Sequence, residues 1–82
     1  MDIRILVTRH RDGNETWEQA DAVIDTGNMD DNQGWWDSEV RKAIQYPTVI
    51  GHVIAAVTVP DSELDKAFNA RAVGSFVSTE PV

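Results

Sequence analysis

The chain of 82 residues contains no cysteine. This absence excludes a disulfide scaffold, a zinc site built from thiolates and a cysteine nucleophile. Stability must therefore come from packing, and 82 residues are enough for a single modest core but too few for a large cleft between two lobes. We expect one domain over residues 1–82, folded through residue 79, with residues 80–82 as a loose terminus.

Long apolar runs are also missing. The longest mainly apolar stretch, residues 49–59, contains Gly51, His52 and Thr58 and falls well short of a membrane span. The amino-terminal sequence MDIRILVTRHR lacks the layout of a secretory signal peptide. We therefore expect a cytoplasmic protein that does not interact with a membrane.

Catalytic motifs are absent as well. The chain has no glycine-rich phosphate loop with a lysine, no Gly-x-Ser-x-Gly and no His-Glu-x-x-His. Of the two histidines, we expect His10 at the solvated surface and His52 in or near the core. Because no nucleophile–base pair can be named, the sequence predicts a protein that is not an enzyme and uses no cofactor or metal.

Basic residues are missing from the middle of the chain. Between Glu15 and Glu39 there are eight acidic residues and no Lys or Arg, and the net charge of the whole chain is −7. Such a field repels nucleic-acid phosphates, so direct nucleic-acid binding is disfavoured, and it attracts cations or a basic protein surface. Regularly spaced carboxylates can also imitate the charge track of nucleic acid, as small phage-type inhibitors do. The simplest alternative is that the charge only maintains solubility.

Apolar patterning predicts strands over residues 3–8, 48–59 and 75–79. In the first, Leu6 breaks the apolar–polar alternation, which places this strand near the centre of a sheet. The second is apolar on both faces, which indicates a central strand covered on both sides, or one covered by helices and an oligomeric partner. The third is short and is expected at a sheet edge.

The segment Glu15–Asp25 is ambiguous. As a helix it places Trp17, Ala20 and Ile24 on one stripe and begins after Asn14, a suitable N-cap. As a strand it pairs back on residues 3–8 through a tight turn. Two alanines and three acids within residues 15–24 favour the helix.

The rest of the chain predicts a loop and two helices. Composition assigns residues 26–34 to a loop, and a helix follows over residues 38–45 before Pro47 ends it. A further helix begins near Asp61 and ends at Gly74. The expected fold is a small α+β sandwich in which two or three helices pack on one sheet of three or four strands.

The acidic loop partly matches a calcium-binding EF-hand loop. With Asn28 at the first position, Asp30, Asn32 and Glu39 fall on ligand positions. However, Gln33 occupies the position that requires glycine, and the first ligand is an amide where a carboxylate is normally needed. A calcium-binding loop is therefore the least favoured interpretation.

The adjacent tryptophans differ in helical phase. Trp36 is in phase with Val40 and Ala43, so we expect it to pack into the core, whereas Trp35 lies about 100° away and is the better candidate for exposure. The scarcity of other large side chains in so small a domain nevertheless favours burial of both rings. Trp17 is expected in the core.

The sequence thus predicts a small acidic module that binds a protein with a basic surface, without catalysis. One form of this hypothesis is an inhibitor of a basic or nucleic-acid-binding protein that acts through its acidic surface. An exposed Trp35 would serve as its apolar anchor. The alternative is a homo-oligomeric structural or accessory protein, such as a homodimer, in which the strand over residues 53–59 is covered by a second copy. The predicted contact residues are Trp35, Asp30, Asp31, Asp37, Glu18, Asp21 and Asp25.

Overall fold

The computed structural model describes residues 1–70, so the strand expected over residues 75–79, the end of the last helix and the terminus lie outside the described residues. Three strands form one antiparallel sheet in the order β2-β1-β3, with β1 at its centre as the sequence predicts. One long and one short helix accompany the sheet, which makes the fold a small α+β fold. The elements are β1 (Asp2–Asp12), β2 (Glu15–Asp25), α1 (Met29–Ile44), β3 (Val49–Thr58) and α2 (Leu64–Ala70), with short 3-10 turns at Thr26–Asn28 and Asp61–Glu63.

The first two strands form a hairpin, so the helix favoured for Glu15–Asp25 is wrong. The pairing runs from Ile3 opposite Asp25 to Asp12 opposite Glu15, and Gly13 turns the chain with a φ of +62° that other residues rarely adopt. Local helix propensity is overridden here because the strand buries apolar side chains against β1.

Helix α1 begins at Met29, inside the segment that composition assigns to a loop. Asp30 and Asp31 lie in its first turn, where their charges favour the positive end of the helix dipole, and Arg41 and Lys42 lie in its last turn. Because the backbone is helical from Met29 onward, the loop geometry on which the calcium interpretation depends is not formed.

Strand β1 supplies both hydrophobic clusters because its alternate side chains point to opposite faces of the sheet. On one face, Leu6 packs with Ala22 and Ile24 of β2 under Trp36 and Ala43 of α1. The other face is lined by Ile3, Ile5, Val7, Ala20, Val23 and Val59, and Leu64 at the start of α2 packs against it.

Strand β3 is not the doubly covered central strand that its apolar sequence predicts. It is an edge strand, and Ile50, Val53 and Ile54 are exposed. On the face of Ile54 the physical reason is the position of α1, which packs its buried side chains over β1 and β2; Val53 lies on the opposite face, beside Val7. Within residues 1–70, no helix is both long and apolar enough to cross a membrane.

Candidate functional site

The two adjacent tryptophans have different environments. Trp36 is only 3% exposed and packs in the cluster beneath α1, which confirms its predicted core position. Trp35 is 45% exposed, so the expectation that both rings are buried is wrong. Successive residues of a helix point about 100° apart, and only one of the two rings can face the sheet.

Trp35 lines an open cleft between the start of α1, the end of β2 and α2. We call it the Trp35 cleft; its volume is about 470 Å³. Its apolar part includes Phe68, which is also exposed, and its polar part lies at the start of α1. The lining residues are Val23, Ile24, Asp25, Asn28, Asn32, Trp35 and Phe68.

The carboxylate of Asp25 is held in place at the rim of this cleft. One oxygen accepts a hydrogen bond from the backbone N–H of Gly27 at 2.8 Å, and the other accepts one from the side chain of Asn28 at 3.1 Å. Asn32 in turn donates to the backbone oxygen of Asn28 at 3.0 Å. These contacts fix the turn before α1 and leave a negative charge beside the two aromatic rings.

The other predicted acidic contact residues fall into separate groups. Asp31 lies one helical turn before Trp35 on the same side of α1, and Asp30 precedes it; both are exposed. Asp37 points to a different side of the helix, where it accepts a hydrogen bond from Gln33 at 2.8 Å.

Glu18 and Asp21 lie far from this group. Glu18 precedes Asp25 by seven residues along β2, roughly 23 Å at the usual rise of a strand, and it forms a 3.7 Å ion pair with Arg9. Asp21 accepts hydrogen bonds from Thr8 and, at 2.5 Å, from Gln19. The helical row of carboxylates from residue 18 to residue 25 is therefore not formed.

A buried polar network at His10 was missed by sequence reasoning. His10 is 3% exposed, and its Nδ1 and Nε2 lie 2.6 Å and 2.7 Å from the hydroxyls of Thr48 and Thr8. Because the Thr8 hydroxyl donates its only proton to Asp21, it accepts the Nε2–H of His10. The network links β1, β2 and the segment that leads into β3.

Aromatic rings complete the surroundings of His10. Trp17 stacks on the imidazole with ring centroids 5.0 Å apart and planes within 6°, and Tyr46 lies at 6.4 Å. The expected positions are therefore reversed: His10 is buried, whereas His52 on β3 and Trp17 are exposed. The sequence signal was the strand alternative for Glu15–Asp25, because a hairpin with β1 places Thr8, His10 and Trp17 on the same face of the sheet.

The His10 network is best explained as structural. Both ring nitrogens have partners, as is usual for a buried histidine that holds strands together. In the described part of the chain, no three residues of the types His, Cys, Asp and Glu are grouped so that they could hold a metal ion. The Trp35 cleft remains the candidate for binding, because its apolar side chains are open to solvent.

Comparisons of this chain with protein-family models, with curated proteins and with solved structures found no match. The function must therefore be inferred from the geometry and chemistry of the molecule itself.

Proposed function

We propose that this chain is a small acidic domain that binds another protein without catalysis, through the Trp35 cleft. The observation that supports the proposal is the exposed ring of Trp35, which lies beside exposed Phe68 and the fixed carboxylate of Asp25. Within residues 1–70, none of the residues that line the cleft is basic. The proposed ligand is a segment of a basic protein that places one apolar side chain in the cleft.

Energetic considerations favour this kind of ligand. A rigid aromatic side chain loses little conformational entropy on binding, and tryptophan is among the residues that most often dominate binding energy. Asp25, Asp30 and Asp31 surround the approach with negative charge, which increases the association rate of a basic partner. Asp25 already accepts two hydrogen bonds, so a nearby cation on the ligand is favoured over a further neutral donor.

The arrangement of the acidic residues does not favour imitation of a nucleic acid as the means of inhibition. Imitation of a nucleic acid requires a long, regular row of charges, and Asp25, Asp30 and Asp31 make only a short cluster. Glu18 and Asp21 are engaged elsewhere. We therefore propose recognition of a basic, partly apolar protein segment, and inhibition only as a consequence if that segment belongs to a functional surface of the partner.

Selection of peptides from a random displayed library on the immobilised chain tests the proposal. We expect selected sequences to combine an aromatic or large aliphatic residue with neighbouring Lys or Arg. Their affinity should fall about tenfold or more in Trp35→Ala, because an anchor residue contributes at least roughly 1.4 kcal/mol. It should also fall as salt is added.

Matched controls keep this experiment specific. Trp17→Ala removes an exposed tryptophan at the other end of the sheet and should leave peptide affinity unchanged. Asp31→Lys should weaken binding more than Asp37→Lys, since Asp37 lies on a different side of α1. Selected peptides without basic residues, or affinities that respond to Trp17→Ala and not to Trp35→Ala, would show that the proposal is wrong.

A further inference from the structure

Strand β3 has an open edge. It pairs with β1 on one side, and within residues 1–70 no strand pairs with its other side. In this described part of the chain, alternate N–H and C=O groups along that side have no strand partner, which is the arrangement that another strand can extend. Ile50 is 55% exposed and Ile54 is 45% exposed on the same strand, so apolar side chains accompany the open backbone.

The devices that usually protect an edge strand are missing from most of β3. Residues 49–58 contain no proline and no charged residue. The pairing with β1 shifts once, between Arg9 and His10, and this irregularity displaces Ile50 only. From Gly51 to Thr58 the strand pairs regularly with β1, so it offers a straight template for pairing.

The distribution of charge favours a second copy of the chain, rather than a basic protein, as the partner at this edge. The chain carries a net charge of −7, which opposes contact between two copies over most of their surfaces. The uncharged strand β3 is a place where two copies can meet without bringing like charges together. A basic partner, in contrast, gains no electrostatic attraction from β3 and is drawn to the acidic surfaces.

We propose that two copies of this chain pair antiparallel along β3 and form one six-stranded sheet in the order β2-β1-β3-β3-β1-β2. A two-fold axis perpendicular to the sheet relates the copies, so residues of the same parity face each other and α1 of both copies lies on one face. Ile54 of each copy then lies near the axis. The pairing satisfies the open backbone groups and brings exposed apolar side chains of the two copies side by side.

A groove between α1 and β3 supports this assignment. Its volume is about 420 Å³, and it opens beside the edge that the second copy would occupy. It contains both an acid, Asp37, and a base, Arg41, so the same surface in a second copy is complementary in charge as well as apolar. The lining residues are Gln33, Trp36, Asp37, Val40, Arg41 and Ile54.

The absence of native cysteine permits a direct test with single-cysteine variants of the full chain. Ile54→Cys should form a disulfide-linked dimer under mild oxidation, because the two copies of this residue lie near the axis. Thr16→Cys is the matched control: it is exposed on β2, the other edge of the sheet, and should stay monomeric. Equal cross-linking of both variants, or of neither, contradicts the proposal.

Light scattering gives the second measurement. The wild-type chain should have the mass of a dimer that persists at high salt, and Ile54→Lys should raise its dissociation constant about tenfold or more, since like charges then face each other. Ile54 is exposed, so the circular dichroism of this variant should be unchanged. Trp35→Ala should also remain dimeric, which separates this proposal from the proposed function.

Three results would overturn the proposal. The first is a monomeric mass at all concentrations together with protected β3 amides in hydrogen exchange, which would show that another part of the same chain covers the edge. The second is a dimer that is unaffected by Ile54→Lys. The third is a series of larger species without a dimer, which would show unspecific association of open strand edges.

Discussion

The two edge strands of the sheet differ in what covers them and in what they carry. Strand β2 lies under α1, and its acids Asp21 and Glu18 have partners within the hairpin. Strand β3 carries no charge, and Ile50 and Ile54 are open to solvent. One helix of this length can cover only part of the sheet, so within residues 1–70 the β2 side lies under α1 and much of β3 is left exposed.

The largest difference in stability is expected between variants of the two adjacent tryptophans of α1. Trp36→Ala removes a buried ring from the cluster shared with β1 and β2 and should lower the free energy of unfolding by about 3–5 kcal/mol. Trp35→Ala, one residue earlier, should lower it by less than about 1 kcal/mol because the ring is largely exposed. Urea unfolding followed by circular dichroism measures both. Similar losses in the two variants would mean that the assigned faces of α1 are wrong.

The next largest loss of stability is expected from the buried polar network at His10. Thr8→Val keeps the shape of the side chain but removes the hydroxyl between His10 and Asp21, so both lose a partner. We expect a loss of about 1–3 kcal/mol in the free energy of unfolding. Thr16→Val, an exposed threonine on β2, should change it by less than about 0.5 kcal/mol. An equally small effect of Thr8→Val would show that the network does not stabilise the hairpin.

Alanine substitutions of two glycines, one in the β1–β2 turn and one in β3, should change stability by different amounts. Gly13→Ala forces a side chain into the positive φ of the β1–β2 turn and should cost about 1–2 kcal/mol. Gly51→Ala in β3 meets open space and an ordinary φ, so it should be neutral or stabilise the protein by about 0.5 kcal/mol. Thermal unfolding should therefore shift in opposite directions or in one variant only. A loss at Gly51 as large as that at Gly13 would contradict the open environment of β3.

The sequence predicts the elements whose signal is local. Short runs rich in apolar residues are enough to place β1 and β3, and helical phase is enough to place Trp36 in the core. The first half of α1 is hidden because aspartate, asparagine and glycine have low helix propensity, and the packing of Met29 and Trp36 on the sheet outweighs it.

The rest depends on contacts between distant parts of the chain. Strand β2 forms because it pairs with β1, and once that pairing is missed, the burial of His10 cannot be found. The position of β3 at the edge depends on where α1 crosses the sheet. An apolar pattern on both faces therefore does not show which elements lie beside the strand or over its faces.

The smallest effect is expected from the ion pair at the far end of β2. Glu18→Gln should lower the free energy of unfolding by less than about 1 kcal/mol, because the 3.7 Å contact between Arg9 Nε and Glu18 Oε2 is too long for a hydrogen bond and the two side chains stay 33% and 27% exposed, although these two atoms are buried. Glu39→Gln, which breaks the contact with Lys42 on α1, is the control and should have a similarly small effect. A loss of several kcal/mol in Glu18→Gln alone would mean that charge, and not apolar pairing with β1, holds β2 in the sheet. The attachment of β2 to the sheet would then depend on electrostatics, and its contribution to stability should decrease as salt is added.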